Sequence, residues 1–404
     1  MSPATTPAFP VPAATPGRMS RRAALWLNAS ILVAYLAAST APSPLYALYR
    51  EAWGFSALTL TVVFSTYAFT LLGALLFFGG LSDHRGRREV ILVSLALEIA
   101  SILVFRHAGS VAWLVAARAV QGMATGIATS ALSAGMLDVD RERGALLNSV
   151  SPMLGMGLGA LGAGAIAQFA PAPMRLVYDV LLAILAAQAV AAFFLPETVD
   201  RRPGALASMK PRLAVPARAR ATLWQVLPVN TAAWALGGFY ASLGPSLARI
   251  VTGLHSALLG GAVVAALVLS GAVSVLAVRT RPARGVLMGG TAALVAGVCV
   301  TLAGTQGHST ALFFAGSIVA GLGFGAAFNG TLRSLVPLAE AHERAALMAT
   351  FFVLSYLAFS VPAIAAGLFV GHVGLQAASV GYGVLLVALG LLALAMMARR
   401  AATD

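Results

Sequence analysis

The sequence changes abruptly from apolar to basic at residues 79–88, which read Gly79-Gly80-Leu81-Ser82-Asp83-His84-Arg85-Gly86-Arg87-Arg88. The flanking residues, 57–78 and 89–106, are almost continuously apolar. Each flank is about as long as an α-helix must be to cross the hydrocarbon core of a bilayer, roughly 20 residues. The segment is therefore expected to be a short polar loop between two membrane-spanning helices.

The composition of the whole chain agrees with a membrane environment. Of the 404 residues, 59% are hydrophobic and only 10% are charged, whereas soluble domains carry about 25% charged residues. The lipid bilayer is therefore the expected partner of most of the surface. The single cysteine, Cys299, excludes an internal disulfide and a thiolate metal site.

The hydropathy pattern predicts an all-α integral membrane protein with twelve transmembrane helices. No run alternates with period two, and backbone groups in lipid must be satisfied internally, which favours helices. The predicted spans are residues 23–49, 57–78, 89–106, 112–136, 144–169, 174–195, 222–246, 254–278, 286–304, 309–336, 345–370 and 374–397.

The basic residues predict the orientation. If the N-terminus is cytoplasmic, 21 of the 26 Lys and Arg residues fall in cytoplasmic segments, four fall outside, and Arg118 lies within a span. Cytoplasmic loops carry this excess of positive charge, so we expect both termini in the cytoplasm and the chain in the cell membrane. The same distribution explains the net charge of +13 without any nucleic acid.

The spans divide into two sets of six, and the sequence predicts two pseudo-symmetric halves. Residues 142–146 match 343–347, and 120–126 match 319–325, at offsets of 201 and 199 positions. Duplicated transporter halves place their substrate at the interface between them. The predicted regions are a disordered tail (1–22), a first six-helix half (23–196), a cytoplasmic linker (197–221), a second six-helix half (222–398) and a short tail (399–404). Arg21-Arg22 before an apolar run also resembles a signal peptide, but cleavage there would leave eleven spans.

Residues 79–88 resemble the signature of the loop between the second and third spans in the major facilitator superfamily, G-x-L-x-D-R-x-G-R-R/K, with His84 in place of a basic residue. Residues 118–126 look like the fourth-span motif R-x-x-Q-G-x-x-x-G, and Pro196-Glu197-Thr198 resembles the usual close of the sixth span. The resemblance implies a twelve-helix transporter that works by alternating access, and it is nearest to the drug:proton antiporters.

The loop is expected to form a conformational latch. Asp83 and Arg87 are four residues apart, a spacing that allows an ion pair, and the resemblance adds Asp138 as a third member and the start of the eleventh helix as a docking point. The alternative is that the arginines only set the topology. The predicted latch residues are Gly79, Asp83, Gly86, Arg87, Arg88 and Asp138.

Three ionisable residues within the spans are candidates for proton coupling, because charges at bilayer depth are costly. The resemblance implies this role for Arg118, which could instead snorkel to the outer interface. Glu98 lies near the middle of the third span, on one stripe with Ser94 and Ser101, and could be purely structural. Asp179 follows Arg175 by four residues, which favours a local ion pair.

Two features differ from the proton-coupled drug exporters. The first span contains no acidic residue, and the glycine-rich fifth span, 152–164, lacks the Gly-Pro of the antiporter motif. That span favours close helix packing, with Gly155 and Gly159 as a GxxxG pair and a sliding interface between halves as the alternative.

The function predicted from these features is proton-driven export of hydrophobic or amphipathic small molecules; the alternative is transport of one metabolite, such as a sugar or an organic acid. A membrane-embedded enzyme or a sensor fits less well, no ATP-binding loop of the form G-x-x-x-x-G-K-[ST] is found, and no catalytic residue, cofactor or metal is expected. We expect a monomer. The candidate cavity residues are Tyr35, Ser39, Gln121, Asn230, Trp234, Tyr240, Asn329 and Tyr356.

Overall fold

The structure is a computed structural model that describes residues 19–340 and 342–401. All regular secondary structure within these residues is helical. Most of the predicted N-terminal tail (residues 1–18) and the last three residues of the predicted C-terminal tail lie outside the described residues.

Twelve of the described helices are 20 residues or longer, as the sequence predicted for the spans. They are α1 (Arg21–Thr40), α3 (Ala57–Phe78), α5 (Arg87–Arg106), α6 (Val111–Val139), α7 (Arg141–Phe169), α8 (Pro173–Ala192), α10 (Ala217–Ser242), α12 (Ala257–Val278), α13 (Ala283–Gln306), α14 (Thr310–Leu335), α15 (Arg344–Val373) and α16 (Leu375–Ala401). Four shorter α-helices join them, namely α2 (Pro42–Trp53), α4 (Ser82–Arg85), α9 (Ala205–Ser208) and α11 (Gly244–Thr252), and a 3-10 turn follows α14 at Val336–Leu338.

Ten of these helical stretches, with α1 and α2 counted as one, are long and apolar enough to cross a membrane. The remaining long helices, α5 and α10, pack into the same bundle. Helix α5 carries Glu98 between charged ends, and α10 contains Pro228 and several polar side chains. The polar side chains of these two helices include several of the candidate site residues.

The first and seventh predicted spans are each interrupted, which corrects the expectation of one continuous helix at 23–49 and at 222–246. Helix α1 ends at Thr40 and α2 begins at Pro42, while α10 ends at Ser242 and α11 begins at Gly244, before Pro245. Proline lacks the amide hydrogen that a continuing helix needs. The breaks occur at corresponding places in the two halves.

The described helix ends also correct the predicted tails and linker. Helix α1 already begins at Arg21, α10 begins at Ala217, and α16 continues to Ala401. The linker between the halves therefore ends at Pro216 rather than at 221. In the sequence, the arginines at these helix ends are assigned to loops because they are charged, although arginine is a good helix former.

Close packing between helices repeats in the two halves. A Cβ on Gly122 would lie 2.2 Å from a backbone oxygen of α3, and one on Gly126 would lie 2.5 Å from another. A Cβ on Gly321 or Gly325 would lie 2.1 or 2.2 Å from a backbone oxygen of α12. The pairs α3–α6 and α12–α14 therefore pack in the same way, which supports the predicted pseudo-symmetry.

The halves meet mainly where α7 packs on α12 and α3 packs on α15. We call the side on which α1 begins and α16 ends the terminus-bearing face, and the other side the opposite face. Near the opposite face, Arg249 Nη1 of α11 lies 2.5 Å from Glu51 Oε1 of α2. Among the described ion pairs this is the one that joins the halves, since the others lie within one half or its linker.

Glycines on α7 allow close packing against two neighbouring helices, α1 and α12. Cβ atoms on Gly155 and Gly159 would lie 2.4 and 2.1 Å from backbone oxygens of α1, so this GxxxG pair packs within the first half. The interface between halves uses Gly164, whose Cβ would lie 2.7 Å from an oxygen of α12, and Gly261 of α12, whose Cβ would lie 2.1 Å from an oxygen of α7. Close packing is therefore confirmed, but the GxxxG pair does not line the interface between halves.

Candidate functional site

A buried polar network centres on Arg118 of α6. Its Nη1 donates to the Ser39 carbonyl oxygen at 2.7 Å and to Gln121 Oε1 at 2.7 Å, and its Nε donates to the Tyr46 hydroxyl at 2.8 Å. The side chain is fully buried, so the alternative that it snorkels to the interface is wrong. The acceptor Ser39 lies at the end of α1, where helix carbonyls lack intrahelical partners and favour a cation.

Aromatic rings complete the surroundings of the guanidinium. Its central carbon lies 5.4 to 6.0 Å from the ring centroids of Tyr46, Phe64, Tyr67 and Phe105. Cation–π contacts of this length are attractive, and more so when desolvated. These ring contacts were not predicted from the sequence, because the rings come from α2, α3 and α5 and meet Arg118 only through the packing of those helices.

Glu98 of α5 is joined to Arg118 through one amide. Gln121 Nε2 donates to Glu98 Oε1 at 3.1 Å, while its Oε1 accepts from Arg118. Glu98 is fully buried, as are Ser94 and Ser101 on the same stripe. Glu98 Oε2 and Arg118 Nη2 have no hydrogen-bond partner in the described structure. A buried acid and a buried cation thus face each other across a single side chain.

Asp179 does not belong to this network, and its predicted pairing with Arg175 is wrong. Its carboxylate pairs with Arg106, which ends α5. The side chains of both partners are more than a third exposed, so the pair contributes little to stability. The ion pair joins α5 to α8 instead of lying within α8, a contact that spacing along one helix cannot reveal.

A second cluster of candidate residues lies in the other half. The indole ring of Trp234 on α10 contacts four rings, with centroid distances of 5.0 to 6.5 Å, from Phe328, Phe352, Tyr356 and Phe359. We call these five residues the aromatic cluster. Asn230, one turn before Trp234, donates to Ser355 Oγ of α15 at 2.9 Å.

The remaining cavity candidates lie elsewhere. The Tyr35 hydroxyl donates to Ser94 Oγ at 3.1 Å, and the Tyr240 hydroxyl lies 2.8 Å from Ser317 Oγ. Both tyrosines are buried, and both hydrogen bonds join helices of the same half, so their role in a cavity stays a prediction. Asn329 follows Phe328 on α14, and its Oδ1 has no partner among the described residues.

The predicted ion pairs of the latch loop are present. Arg87 Nη1 lies 2.5 Å from Asp83 Oδ1, and Arg87 Nε lies 3.2 Å from Asp138 Oδ2. The Ser82 hydroxyl also accepts from Arg87 at 2.6 Å. Asp83 is largely exposed, and its described ion pair is with Arg87, so the predicted docking onto α15 is not formed in this conformation.

Glu197, which the sequence singles out only as part of the motif that closes the sixth span, contacts the latch loop. Its carboxylate accepts from the backbone amides of Arg87 at 2.7 Å and Arg88 at 3.2 Å, capping the start of α5. Gly86 has φ +101°, and a Cβ there would lie 2.5 Å from Glu197 Oε2. Glycine at 86 is therefore required by both the backbone conformation and the capping carboxylate. Gly79, another predicted latch residue, directly follows the end of α3, and a Cβ there would lie 2.5 Å from the Leu75 oxygen.

The start of α15 carries its own acidic cluster. Arg218 Nη2 donates to Glu343 Oε2 at 2.5 Å and lies 3.0 Å from Glu340 Oε1. The hydrogen bond from Arg218 lowers the pKa of the Glu343 carboxyl. Among the described residues, no group of three or more His, Cys, Asp and Glu side chains is placed to hold a metal ion.

The fold and this site define a multi-pass membrane protein of two helical halves with a buried charged network in the first. The sequence profile of the Major Facilitator Superfamily matches residues 27–306. The chain belongs to this superfamily, and it is a transporter, not an enzyme.

Similarity to individual proteins is more limited. Multidrug resistance protein D of Escherichia coli (strain K12) is 35% identical over 96 residues, and the match covers 24% of each chain. The solved structure of the nucleoside transporter NupG superposes with a TM-score of 0.71 at 11% identity, covering 92% of this chain and 99% of that one. The human organic anion transporter MFSD10 (TETRAN) gives 0.61 at 20% identity, covering 93% and 100%. The two structural similarities show the fold alone.

Proposed function

We propose that this transporter exports hydrophobic or amphipathic small molecules in exchange for protons, by alternating access. The observation that carries the proposal is the fully buried chain Glu98–Gln121–Arg118. Ionisable groups are retained at bilayer depth mainly for function, because their burial is costly. The short similarity to a multidrug resistance protein supports the export of drugs.

In this proposal Glu98 carries the proton. Glu98 lies in the third span, so the acid-free first span does not prevent coupling. Asp179 is a weaker candidate, because it is partly exposed and paired with Arg106. Arg118 provides a fixed positive charge that the carboxylate of Glu98 faces after it releases its proton.

The latch loop controls the conformation in the same proposal. Asp83, Arg87 and Asp138 hold the loop in shape, and Glu197 fixes the start of α5. Asp83 is largely exposed, so beside its ion pair with Arg87 it is accessible to the start of α15 when the halves close at the terminus-bearing face. Its contact there would stabilise the state that is open on the opposite face.

Transport in proteoliposomes with an imposed proton gradient tests the proposal, with a panel of lipophilic cations and sugars. We expect gradient-driven movement of lipophilic compounds, and we expect Glu98→Gln to transport independently of the gradient. Glu89→Gln is the matched control, since Glu89 lies on the same helix and forms an exposed pair with Arg201 at 2.9 Å. Wild-type transport that ignores the gradient would rule out proton antiport.

A second candidate is transport of an organic acid. The unpartnered Nη2 of Arg118 is the observation that favours it, because a carboxylate is a natural partner for guanidinium. Gradient-independent uptake of organic acids in the same vesicles, lost in Arg118→Ala, would support this candidate over drug export.

A further inference from the structure

The aromatic cluster and the adjacent Asn230 together contain two buried polar atoms without partners among the described residues. Asn230 Oδ1 and Trp234 Nε1 both lack a hydrogen bond in the described structure. The Asn230 side chain is 4% exposed. Leaving a buried polar atom unpaired is unfavourable, so a site that retains two of them is suited to a ligand that satisfies them.

The local network fixes which atom of the Asn230 amide is free. The Ser355 hydroxyl donates to the Phe351 carbonyl oxygen at 2.8 Å, so its oxygen must accept from Asn230. The amide nitrogen therefore points to Ser355, which leaves Oδ1 as a free acceptor. Trp234 Nε1 is a donor only. The site thus offers one free acceptor and one free donor.

Asn230 and Trp234 lie four residues apart on α10, so their side chains leave the same face of the helix. Residues four apart on a helix have Cβ atoms about 5 to 6 Å apart, which is comparable with the size of a fused aromatic ring system. The rings that touch Trp234 meet it at interplanar angles of 64° to 80°. None of these four neighbours is parallel to the indole ring, so a planar ligand could supply a stacking partner.

The cluster faces the other half of the molecule. Phe359 contacts the ring of Phe64 on α3, and Trp234 and Tyr356 pack against the group that contains both. Phe328 packs against the group that contains Met153 of α7. Trp234, Phe328, Phe352 and Tyr356 are each only partly buried. They therefore lie at the interface where the substrate of a two-half transporter binds.

The described contacts of the cluster include no charged side chain. The guanidinium of Arg118 donates to Ser39, Gln121 and Tyr46 in the first half. Its central carbon also lies 6.0 Å from the ring of Phe64, which in turn contacts Phe359 of the cluster, so this charge is one ring removed from the cluster. Within the cluster itself, one acceptor and one donor among aromatic rings cannot compensate a formal charge, and burying an unpaired charge is costly.

We propose that the aromatic cluster with Asn230 binds an uncharged planar molecule that carries an N–H donor beside a carbonyl acceptor, as in an aromatic lactam. The N–H donates to Asn230 Oδ1, the carbonyl accepts from Trp234 Nε1, and the ring stacks within the cluster. This inference rests on the proposed transport function, and it narrows the substrate class to neutral lactam-like rings.

Binding of four related probes to the purified protein in detergent, measured by calorimetry, tests the inference. The probes are 2-quinolone, N-methyl-2-quinolone, the cation N-methylquinolinium and the anion quinoline-2-carboxylate. We expect 2-quinolone to bind about fivefold more tightly than its N-methyl derivative, as one neutral hydrogen bond of roughly 1 kcal/mol predicts, and both charged probes to bind more weakly still.

Two variants assign these contacts to residues. Asn230→Leu should abolish the preference for 2-quinolone over its N-methyl derivative, because only the first has an N–H to donate. Trp234→Phe should weaken both lactams by about the same factor, roughly fivefold, because both have the carbonyl. Trp224→Phe, on the same helix but 68% exposed, is the matched control and should bind like the wild type.

Tighter binding of either charged probe than of 2-quinolone, absence of lactam binding, or an unchanged preference in Asn230→Leu would each overturn the inference. Since binding in detergent needs no gradient, the two proposals fail separately. Lactam selectivity without gradient-driven transport would refute proton antiport alone, and gradient-driven transport without lactam preference would refute this inference alone.

Discussion

Arg118 shows what one residue must satisfy to remain buried as a cation. Its hydrogen bonds use the guanidinium as a planar fork, with Nη1 reaching two acceptors and Nε a third. Lysine has a single nitrogen and cannot reproduce that geometry. The corresponding position in the second half is Ser317, which pairs with the Tyr240 hydroxyl. Neutral groups therefore pair at the corresponding position of the second half, which is consistent with the proposed role of the Arg118 charge in transport.

Substitution of Arg118 by lysine should therefore be damaging even though the charge is kept. We expect Arg118→Lys to reduce transport by more than about tenfold and to lower the free energy of unfolding by about 1.5 to 3 kcal/mol, the typical range for lost hydrogen bonds of a charged group. Transport in proteoliposomes and thermal unfolding in detergent would measure these effects. Arg175→Lys, at an exposed position on α8, should be neutral. Wild-type behaviour of Arg118→Lys would contradict the role given to its geometry.

At the scale of single elements, the helices were predictable from the sequence, but their breaks and partners were not. Apolar length predicts helices because lipid offers no hydrogen bonds to the backbone. The same pattern continues across Ala41 and Leu243, so hydropathy does not show where α1 and α10 end. Proline at 42 and 245 was the available signal. The pairing of Asp179 with Arg106 and the capping role of Glu197 depend on contacts between distant elements.

The small faces of α7 lead to a prediction about helix packing. Gly159→Ala should destabilise the protein by about 1 to 3 kcal/mol, the usual cost of overpacking, because the added Cβ would lie 2.1 Å from the Ala37 oxygen of α1. Gly162→Ala is the control on the same helix, since nothing lies within 4 Å of a Cβ there. Thermal unfolding of the two variants in the same detergent measures the difference. Equal stabilities of the two variants would show that the close contact of Gly159 with α1 can be relieved with no loss of stability.

At the scale of the whole molecule, polar contacts between the halves are unevenly placed. Near the terminus-bearing face, the ion pairs of Arg87, Arg201 and Arg218 all lie within one half or its linker. At the opposite face, Arg249 and Glu51 join α11 to α2 across a cavity of about 500 Å³ that both halves line. Helix α15 also packs closely on α3, where a Cβ on Gly367 would lie 2.3 Å from Thr61 Oγ1. These contacts hold the opposite face closed in the described conformation.

Removing the charge of Glu51 should shift the balance between conformations more than it alters stability. Exposed ion pairs are worth about 0.2 to 1 kcal/mol, so we expect Glu51→Gln to favour the state open at the opposite face by a factor of roughly 1.4 to 5. Distances between spin labels at Ala52 and Leu254, both exposed and with Cys299 replaced by serine, would report the two populations. Glu89→Gln, which removes the same charge from a pair that does not join two helical halves, should leave them unchanged.

The exchanged pair Glu51→Arg with Arg249→Glu should restore the wild-type populations, because it restores the attraction with the charges reversed. High salt should reduce the difference between Glu51→Gln and the wild type, since exposed charges are screened over about 10 Å at 0.1 M salt. Identical distance distributions for Glu51→Gln and the wild type at low salt would show that apolar packing of α3 on α15 and of α7 on α12 closes this face without the ion pair. In that case the close packing at Gly261 and Gly367 would supply the free energy that keeps the opposite face closed.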